Sequence, residues 1–308
     1  MHFLFLPPTS YHPAPIYMSK YLIINADDFG LCHAANQAII ELLEDKLISS
    51  ATLMTPCAWF PEAAEYARTH PEKCIGVHLT FTSEWKSYRW GPVSRTQVSS
   101  LMVDGYFHPD EISVEKLAKP QEVETEIRAQ IALARAYGIV PSHLDNHMGS
   151  LYGLSGIQTF LPLVFQICAE MGLPFRFPRS YLPGDEIAES VPVEVREGAK
   201  QVVALADALK VALPDYLVSL PYEKLPGETY ESFRDFVCER LMNLPPGIHE
   251  LFIHPAKDGP ELRALISHWE KRTWEDRLLR DPQVLQAIKQ SNISQIDWRG
   301  LARLRATL

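Results

Sequence analysis

A short apolar, β-branched run, Tyr21-Leu22-Ile23-Ile24-Asn25-Ala26, stops abruptly at Asp27-Asp28-Phe29-Gly30. A continuous apolar stretch closed by polar residues predicts a buried parallel strand with a polar C-terminal end. Helical spacing follows over 34–46, with Ile39, Leu42 and Leu43 on one face. The alternation then repeats. A strand is expected at 48–54. A helix follows at 61–69, with Pro61 in the first turn, where its missing N–H costs nothing. A third strand is expected at 74–79. Residues 121–137 predict a strong amphipathic helix with Glu122, Glu124 and Glu126 near its start, as the helix dipole prefers, and Gly138 as its stop. His143-Leu144-Asp145 reads as a strand end, 157–171 as a helix and 174–178 as a further strand. Helical patches at 195–212, a helix at 231–242, a strand at 250–254 and mostly helix over 261–290 complete the pattern.

Strands alternating with helices imply an α/β fold with a mostly parallel sheet and crossover helices. The chain of 308 residues fits one large domain or two modest ones, and it can bury most of its apolar surface unaided. One domain over 18–308 is expected, with an aromatic-rich insertion at about 83–120 and an irregular, proline-punctuated segment at about 181–230. Residues 1–17 are expected to be a disordered extension, because Met18 opens a run that looks like a natural start. Polar residues recur where strands end: Asp27 and Asp28, His78, His143 with Asp145 and His147, Arg176, and His254. Active sites of barrels and open α/β sheets lie at that edge.

Composition narrows the function classes. A net charge of −9, from 38 acidic against 29 basic residues, argues against a nucleic-acid binder. No stretch reaches the ~18 apolar residues of a membrane span. Five cysteines with no C-x-x-C pair argue against a disulfide framework or a thiolate zinc site, and make a reducing cytoplasm the expected compartment.

The candidate chemistry lies in four places. Asp27-Asp28 can cap a helix and face solvent, or can divide its labour, one carboxylate on a divalent cation and the other a free base. His78, in Gly76-Val77-His78-Leu79-Thr80, reads as a core histidine or as a ligand, and Gly76 permits close backbone approach. In Pro141-Ser142-His143-Leu144-Asp145-Asn146-His147, three donors alternate at period two, so an extended chain projects them to one face. One Asp with two His ligands leaves positions open for water and substrate. His254, delivered by an apolar strand just before Pro255, suits a fixed general acid or a strand-end cap.

Asn25-Ala-Asp-Asp-Phe-Gly-Leu31, Gly76-Val-His-Leu-Thr80, Pro141-Ser-His-Leu-Asp-Asn-His147 and His254-Pro-Ala256 occur in the order found in the YdjC-like carbohydrate deacetylases. This family includes chitooligosaccharide deacetylases and a hopanoid-pathway deacetylase. The resemblance runs from about residue 19 to about 260. It includes Phe175-Arg176-Phe177-Pro178-Arg179, which is similar to the family's arginine-containing strand. It implies a distorted (β/α) barrel, polysaccharide-deacetylase-like, that removes acetyl groups from N-acetylated sugars. One divalent metal ion is implied, held by Asp28, His78 and His147. Asp27 matches the catalytic base, His254 the late catalytic histidine, and Arg176 an arginine that steadies the base. Asp145, and with it His143, is expected behind the ligands, fixing a histidine tautomer. Two imidazoles favour zinc, while mixed N/O ligation admits magnesium, manganese or cobalt. Homodimers are common in the family. Many members carry further histidines after the H-x-D-x-H motif, whereas here the chain reads His147-Met148-Gly149-Ser150. The ligand set is untouched by that change, but the neighbouring sugar pocket is altered.

The reaction expected is attack of a metal-activated water on an acetamide, with Asp27 as base and protonated His254 as donor to the departing amine. Trp85, Tyr88 and Trp90 are candidates for a sugar platform or for plain packing of the insertion, and Met148 is a further candidate substrate contact. Other readings stay open: a different metal-dependent amidase or esterase or a glycosidase on the same fold, and a non-catalytic carbohydrate-binding protein. A glycosidase needs carboxyls ~5–9.5 Å apart across the scissile bond, a poor match to adjacent aspartates. A non-catalytic carbohydrate-binding protein could keep the fold without the chemistry.

Overall fold

The computed structural model describes residues 19–94, 98–182 and 191–307, so the expected N-terminal extension and part of the proline-punctuated segment lie outside the described residues. The central strand is β1 (Lys20–Phe29). Around it, β2 (Ser50–Leu53), β3 (Ile75–Leu79), β6 (Leu144–Asn146), β7 (Tyr216–Val218) and β8 (Gly247–Ile253) form one sheet in the order β6-β3-β2-β1-β8-β7. Every pairing in it is parallel, and β9 (Ile293–Gln295) pairs with the start of β1.

The intervening helices are α1 (His33–Glu44), α2 (Phe60–Thr69), α4 (Pro120–Ala136), α5 (Leu161–Met171), α6 (Val193–Ala208), α7 (Tyr230–Met242), α8 (Pro260–Leu265), α9 (Trp269–Leu278), α10 (Pro282–Gln290) and α11 (Trp298–Arg305). Among the described residues no helix is long and apolar enough to cross a membrane. The stretch expected as an insertion holds a hairpin of β4 (Met102–Val103) and β5 (Tyr106–Phe107), then α3 (Glu111–Leu117). Asp104 and Gly105 turn the hairpin, both at positive φ, as two-residue β-turns require.

Residues 174–178 depart from expectation. They form a single bridge, Leu144 to Phe175, instead of a strand. Pro174 and Pro178 have no N–H to donate, and a regular ladder cannot run through them. The segment still carries the sheet round. Arg176 N donates to Leu144 O (3.1 Å), Phe175 N to Ala212 O (3.1 Å) and Arg179 N to Pro214 O (3.0 Å). From there Asp215 N donates to Ile248 O (2.7 Å), which joins β8. The curled, mostly parallel sheet is thereby a distorted barrel.

Alternation along β1 divides two environments. Leu22, Ile24 and Ala26 face outward into the layer packed by α1, α2 and α7, with Ile39, Leu42, Phe60 and Phe233. Ile23, Asn25 and Asp27 take the opposite face, and the inner residues become more polar toward the strand C-termini. At the lower end Ile23, Cys74 and Ile248 pack on Trp298 and Leu301 of α11, so the C-terminal helix plugs that end. His143 lies in the same layer, its ring stacked on Trp298 at 4.5 Å between centroids.

Gly76 passes directly against this layer. A Cβ there would sit 2.6 Å from the His143 ring and 2.7 Å from its carbonyl oxygen. Backbone cannot give way as a flexible side chain does, so Gly76→Ala should cost about 1–3 kcal/mol of stability by overpacking. Urea unfolding of the two proteins measures this directly.

Candidate active site

The two adjacent aspartates both reach the interior because β1 breaks its alternation. Between Ala26 and Phe29 the chain takes three steps while β2 takes two, from Ala51 to Leu53. This is a β-bulge, which adds one residue and re-aims a side chain. The extra residue is accommodated at Asp28, whose φ is +65°. Asp is one of the few residues that tolerates this left-handed conformation. Without the bulge Asp28 would face outward with Ala26.

Asp28, His78 and His147 each offer a ligand atom, and those atoms lie within 4.8 Å of one another. Asp28 Oδ1 is 3.6 Å from His78 Nε2 and 3.5 Å from His147 Nδ1. All three residues are buried. Asp28 Oδ1 is itself buried and, among the described residues, has no hydrogen-bond partner. A carboxylate oxygen removed from water is costly unless it is paired or on a metal. The donor set therefore fits a divalent cation. Asp27, His78 and Asp145 form a second group whose donor atoms also lie within 4.8 Å of one another. There, however, His78 Nδ1 already donates to Asp145 Oδ1 (2.7 Å), and Asp27 is clamped by an arginine. The first group is the one with free donors.

That arginine is Arg176, which sits among three buried carboxylates. It donates from Nη1 and Nη2 to the two oxygens of Asp27 (2.6 and 2.7 Å), from Nε to Glu250 Oε1 (2.8 Å), and Nη2 lies 3.0 Å from Asp145 Oδ2. Burial opposes charge on Asp27, but Arg176, then His78 and His254, hold its carboxyl well below the usual range. Asn25 Nδ2 also donates to Asp27 Oδ1 (2.8 Å). Burial pushes Glu250 up to about 7, with Arg176 pulling the other way. Asp28 is likewise held well below its usual value: burial opposes the charge, and Arg272 and His147 overcome it. Arg272 Nη2 donates to Asp28 Oδ2 (2.7 Å) and to the Tyr222 hydroxyl (2.9 Å), so only Oδ1 faces the histidines.

His254 stands across from the base, with Nε2 3.8 Å from Asp27 Oδ2. Its backbone N–H donates to Glu275 Oε2 (2.5 Å), which ties the strand end to α9. Burial pushes its imidazole down to about 4, against the pull of Asp28 and Asp27. Burial thus favours the neutral ring at rest, and donation to a departing amine requires it to gain a proton first. His147 behaves oppositely. Burial disfavours its charge, but Glu84 and Asp28 push it up to about 10, so a cation taking Nδ1 would release a proton.

Asp27, Asp28, His78, Glu84, His147, Arg176 and His254 line one cavity of about 420 Å³. Its walls include Asn146, Met148, Tyr152, Phe177, Tyr181, Tyr222 and Phe252. A few polar groups amid aromatic surface is the usual composition of a small-molecule site. Met148 is 40% exposed in this wall, at positive φ. Trp85, Tyr88 and Trp90 are placed differently. They pack on one another, with centroids 5.6–5.9 Å apart, and Trp90 stands 6.2 Å from the His147 ring. Trp90 Nε1 donates to Thr82 O (2.7 Å) and the Tyr88 hydroxyl to Leu31 O (2.8 Å), so these rings brace the site from behind and do not line the cavity. His143 also stands apart, bonded to Ser142 Oγ (2.9 Å) and stacked on Trp298 beneath the cluster. Ser150 turns its hydroxyl to the His147 carbonyl (3.0 Å) and supports that turn.

Five contributors escape sequence reasoning: Glu84, Tyr222, Glu250, Arg272 and Glu275. Glu250 alone had a local signal, a charged residue inside an apolar strand, Glu250-Leu-Phe-Ile-His254. Glu84 lies in the irregular segment just after β3, and Tyr222, Arg272 and Glu275 lie in a loop and a helix distant in sequence from the aspartates.

The YdjC-like protein family model matches residues 21–290. The chain belongs to the YdjC-like family. A carbohydrate deacetylase of Thermoanaerobacter pseudethanolicus is 27% identical over 276 residues, covering 89% of this chain and 96% of that protein. A carbohydrate deacetylase of Brevibacillus brevis is 32% identical over 157 residues, 51% of this chain and 59% of that protein. Among solved structures, a putative cellobiose-phosphate cleavage protein from Enterococcus faecalis V583 superposes with a TM-score of 0.72 at 28% identity, covering 92% of this chain and 99% of the other. Within the YdjC-like match lie the bulged Asp27-Asp28 pair, both cavity histidines of the donor group, Arg176 and His254.

Proposed function

We propose that this chain is a metal-dependent hydrolase that removes the acetyl group from an N-acetylated sugar or short oligosaccharide. One observation carries the reading: at a single cavity, the donors of Asp28, His78 and His147 converge beside a separate carboxylate, Asp27, which an arginine holds ionised. The carbohydrate deacetylases among its relatives supply the substrate class.

Asp28, His78 and His147 would hold the cation. Zinc suits two imidazoles, and magnesium, manganese or cobalt suit mixed N/O ligation. When bound, such a cation lowers the pKa of a coordinated water and polarises an acyl oxygen. The remaining roles belong to the chain. Asp27, an anion oriented by the two-pronged Arg176 contact, takes the proton of the attacking water. His254, neutral at rest and 3.8 Å from Asp27 Oδ2, receives that proton and passes it to the departing nitrogen. Asp145, bonded to His78 Nδ1, keeps the Nε2 lone pair turned toward Asp28. Tyr152, Phe177, Tyr181 and Phe252 offer apolar faces to a sugar ring, and Met148 sits beside them.

The test is an acetate-release screen over N-acetylated mono- and oligosaccharides, repeated with a chelator and with each metal restored. Acetate should appear, vanish on chelation and return with metal. Release of reducing sugar without acetate would replace this reading with a glycosidase.

A further inference from the structure

We infer that Glu84 is a positioning residue for His147, the counterpart of Asp145 for His78, and that it decides which imidazole nitrogen His147 offers to the cation. This rests on the metal-site reading above.

The two histidines meet Asp28 Oδ1 through different nitrogens, His78 through Nε2 and His147 through Nδ1. An imidazole cannot ligate with a nitrogen that carries hydrogen, so each ring needs its hydrogen held on the far side. For His78 the far nitrogen is Nδ1, and Asp145 Oδ1 accepts from it at 2.7 Å. For His147 the far nitrogen is Nε2, and the atom facing it is Glu84 Oε2 at 3.2 Å. A carboxylate oxygen accepts, so a hydrogen stays on Nε2 and Nδ1 is the nitrogen left to give up its proton to a cation. Trp90 and His78 pack edge-on against the ring, at 6.2 and 5.3 Å between centroids, and restrain its orientation.

Glu84 lies in the segment that follows β3, the strand carrying His78. Five residues beyond Leu79, the end of β3, the chain has turned along the cavity wall. Gln130 of α4 accepts from Thr80 N (2.9 Å) and donates to Thr80 O (2.7 Å), which anchors that turn. One strand and the segment leaving it thus supply a ligand and the support of a second ligand. Asp145, in turn, comes from the strand that leads to His147. Each histidine is steadied by the other's segment. The two supports differ in setting: Asp145 is fully buried, whereas Glu84 is 22% exposed at the cavity.

The experiment measures cation affinity by titration calorimetry with Zn²⁺, Mn²⁺ or Mg²⁺ and no sugar present, for wild type, Glu84→Gln and Glu84→Ala. Loss of such a supporting partner weakens metal binding roughly 10–100-fold. Glu84→Ala should show that loss. Glu84→Gln, which keeps an accepting oxygen, should fall between it and wild type. Metal-free thermal unfolding of Glu84→Gln should remain a single cooperative transition, which shows that the variant is folded before metal is added. With acetate release as the assay, excess metal should restore kcat in Glu84→Ala with KM for sugar unchanged. Wild-type cation affinity in Glu84→Ala, or a raised KM with unchanged affinity, would overturn the inference and make Glu84 a sugar contact. If wild type itself binds no cation, the metal-site reading fails and this one falls with it; if only the variants are unaffected, this one fails alone.

Discussion

Asp27→Asn should lower acetate release by about 10²–10⁴-fold, the usual contribution of a positioned general base. It should leave cation binding intact, because Asp27 is committed to Arg176 and Asn25 and the free donors belong to Asp28, His78 and His147. The asparagine amide is nearly isosteric, yet it cannot accept the water's proton. Asp28→Ala is the paired control. It removes the orphaned Oδ1 and should abolish cation binding and activity together. Metal content after dialysis, measured beside acetate release, separates the two variants. A fully active Asp27→Asn protein would remove Asp27 from the base role.

Arg176→Leu should be the most destabilising single change at the site, by about 3–5 kcal/mol. The physical reason is charge left without compensation. Asp27, Asp145 and Glu250 are at most 3% exposed, and Arg176 contacts all three. Glu250 Oε2 already lacks a partner, so no spare donor stands by to replace the guanidinium. Lysine is a poor substitute, since a single ammonium cannot reproduce the two-pronged contact with Asp27. Urea unfolding with a global fit reads the loss, and a midpoint unchanged from wild type would contradict it. At low pH the penalty should shrink, because the carboxylates then accept protons. The Glu250 carboxyl, pushed up to about 7 by burial, would take the first.

Much of the architecture could be read along the chain. The run Tyr21–Ala26 ended by Asp27-Asp28 announced β1, and apolar periodicity placed α1, α4 and α7 to within a few residues. Such signals are local: burial of one face sets the period, and capping or proline sets the ends. The stretch 174–178 misled because its apolar residues look like a strand while its prolines prevent a ladder. β7, β9 and α11 were not anticipated. β7 and β9 have three residues each, too few to show a period, and their pairing partners are remote.

The local chemistry of the chain, strand ends carrying Asp27, Asp28, His78, His147, Arg176 and His254 in the order of one family, was legible because each residue sits where an apolar run stops. Folding settled everything that depends on distance. A one-residue bulge at Asp28 turns two neighbouring carboxylates into one cavity, which strict strand alternation forbids. Arg272 and Glu275 arrive from a helix 244 and 21 residues from their partners, Asp28 and His254. The inviting tryptophans of 83–120 end up behind His147. Periodicity encodes which way a residue faces, but it carries no record of which remote charge will meet it, and here those charges set the ionisation of the site.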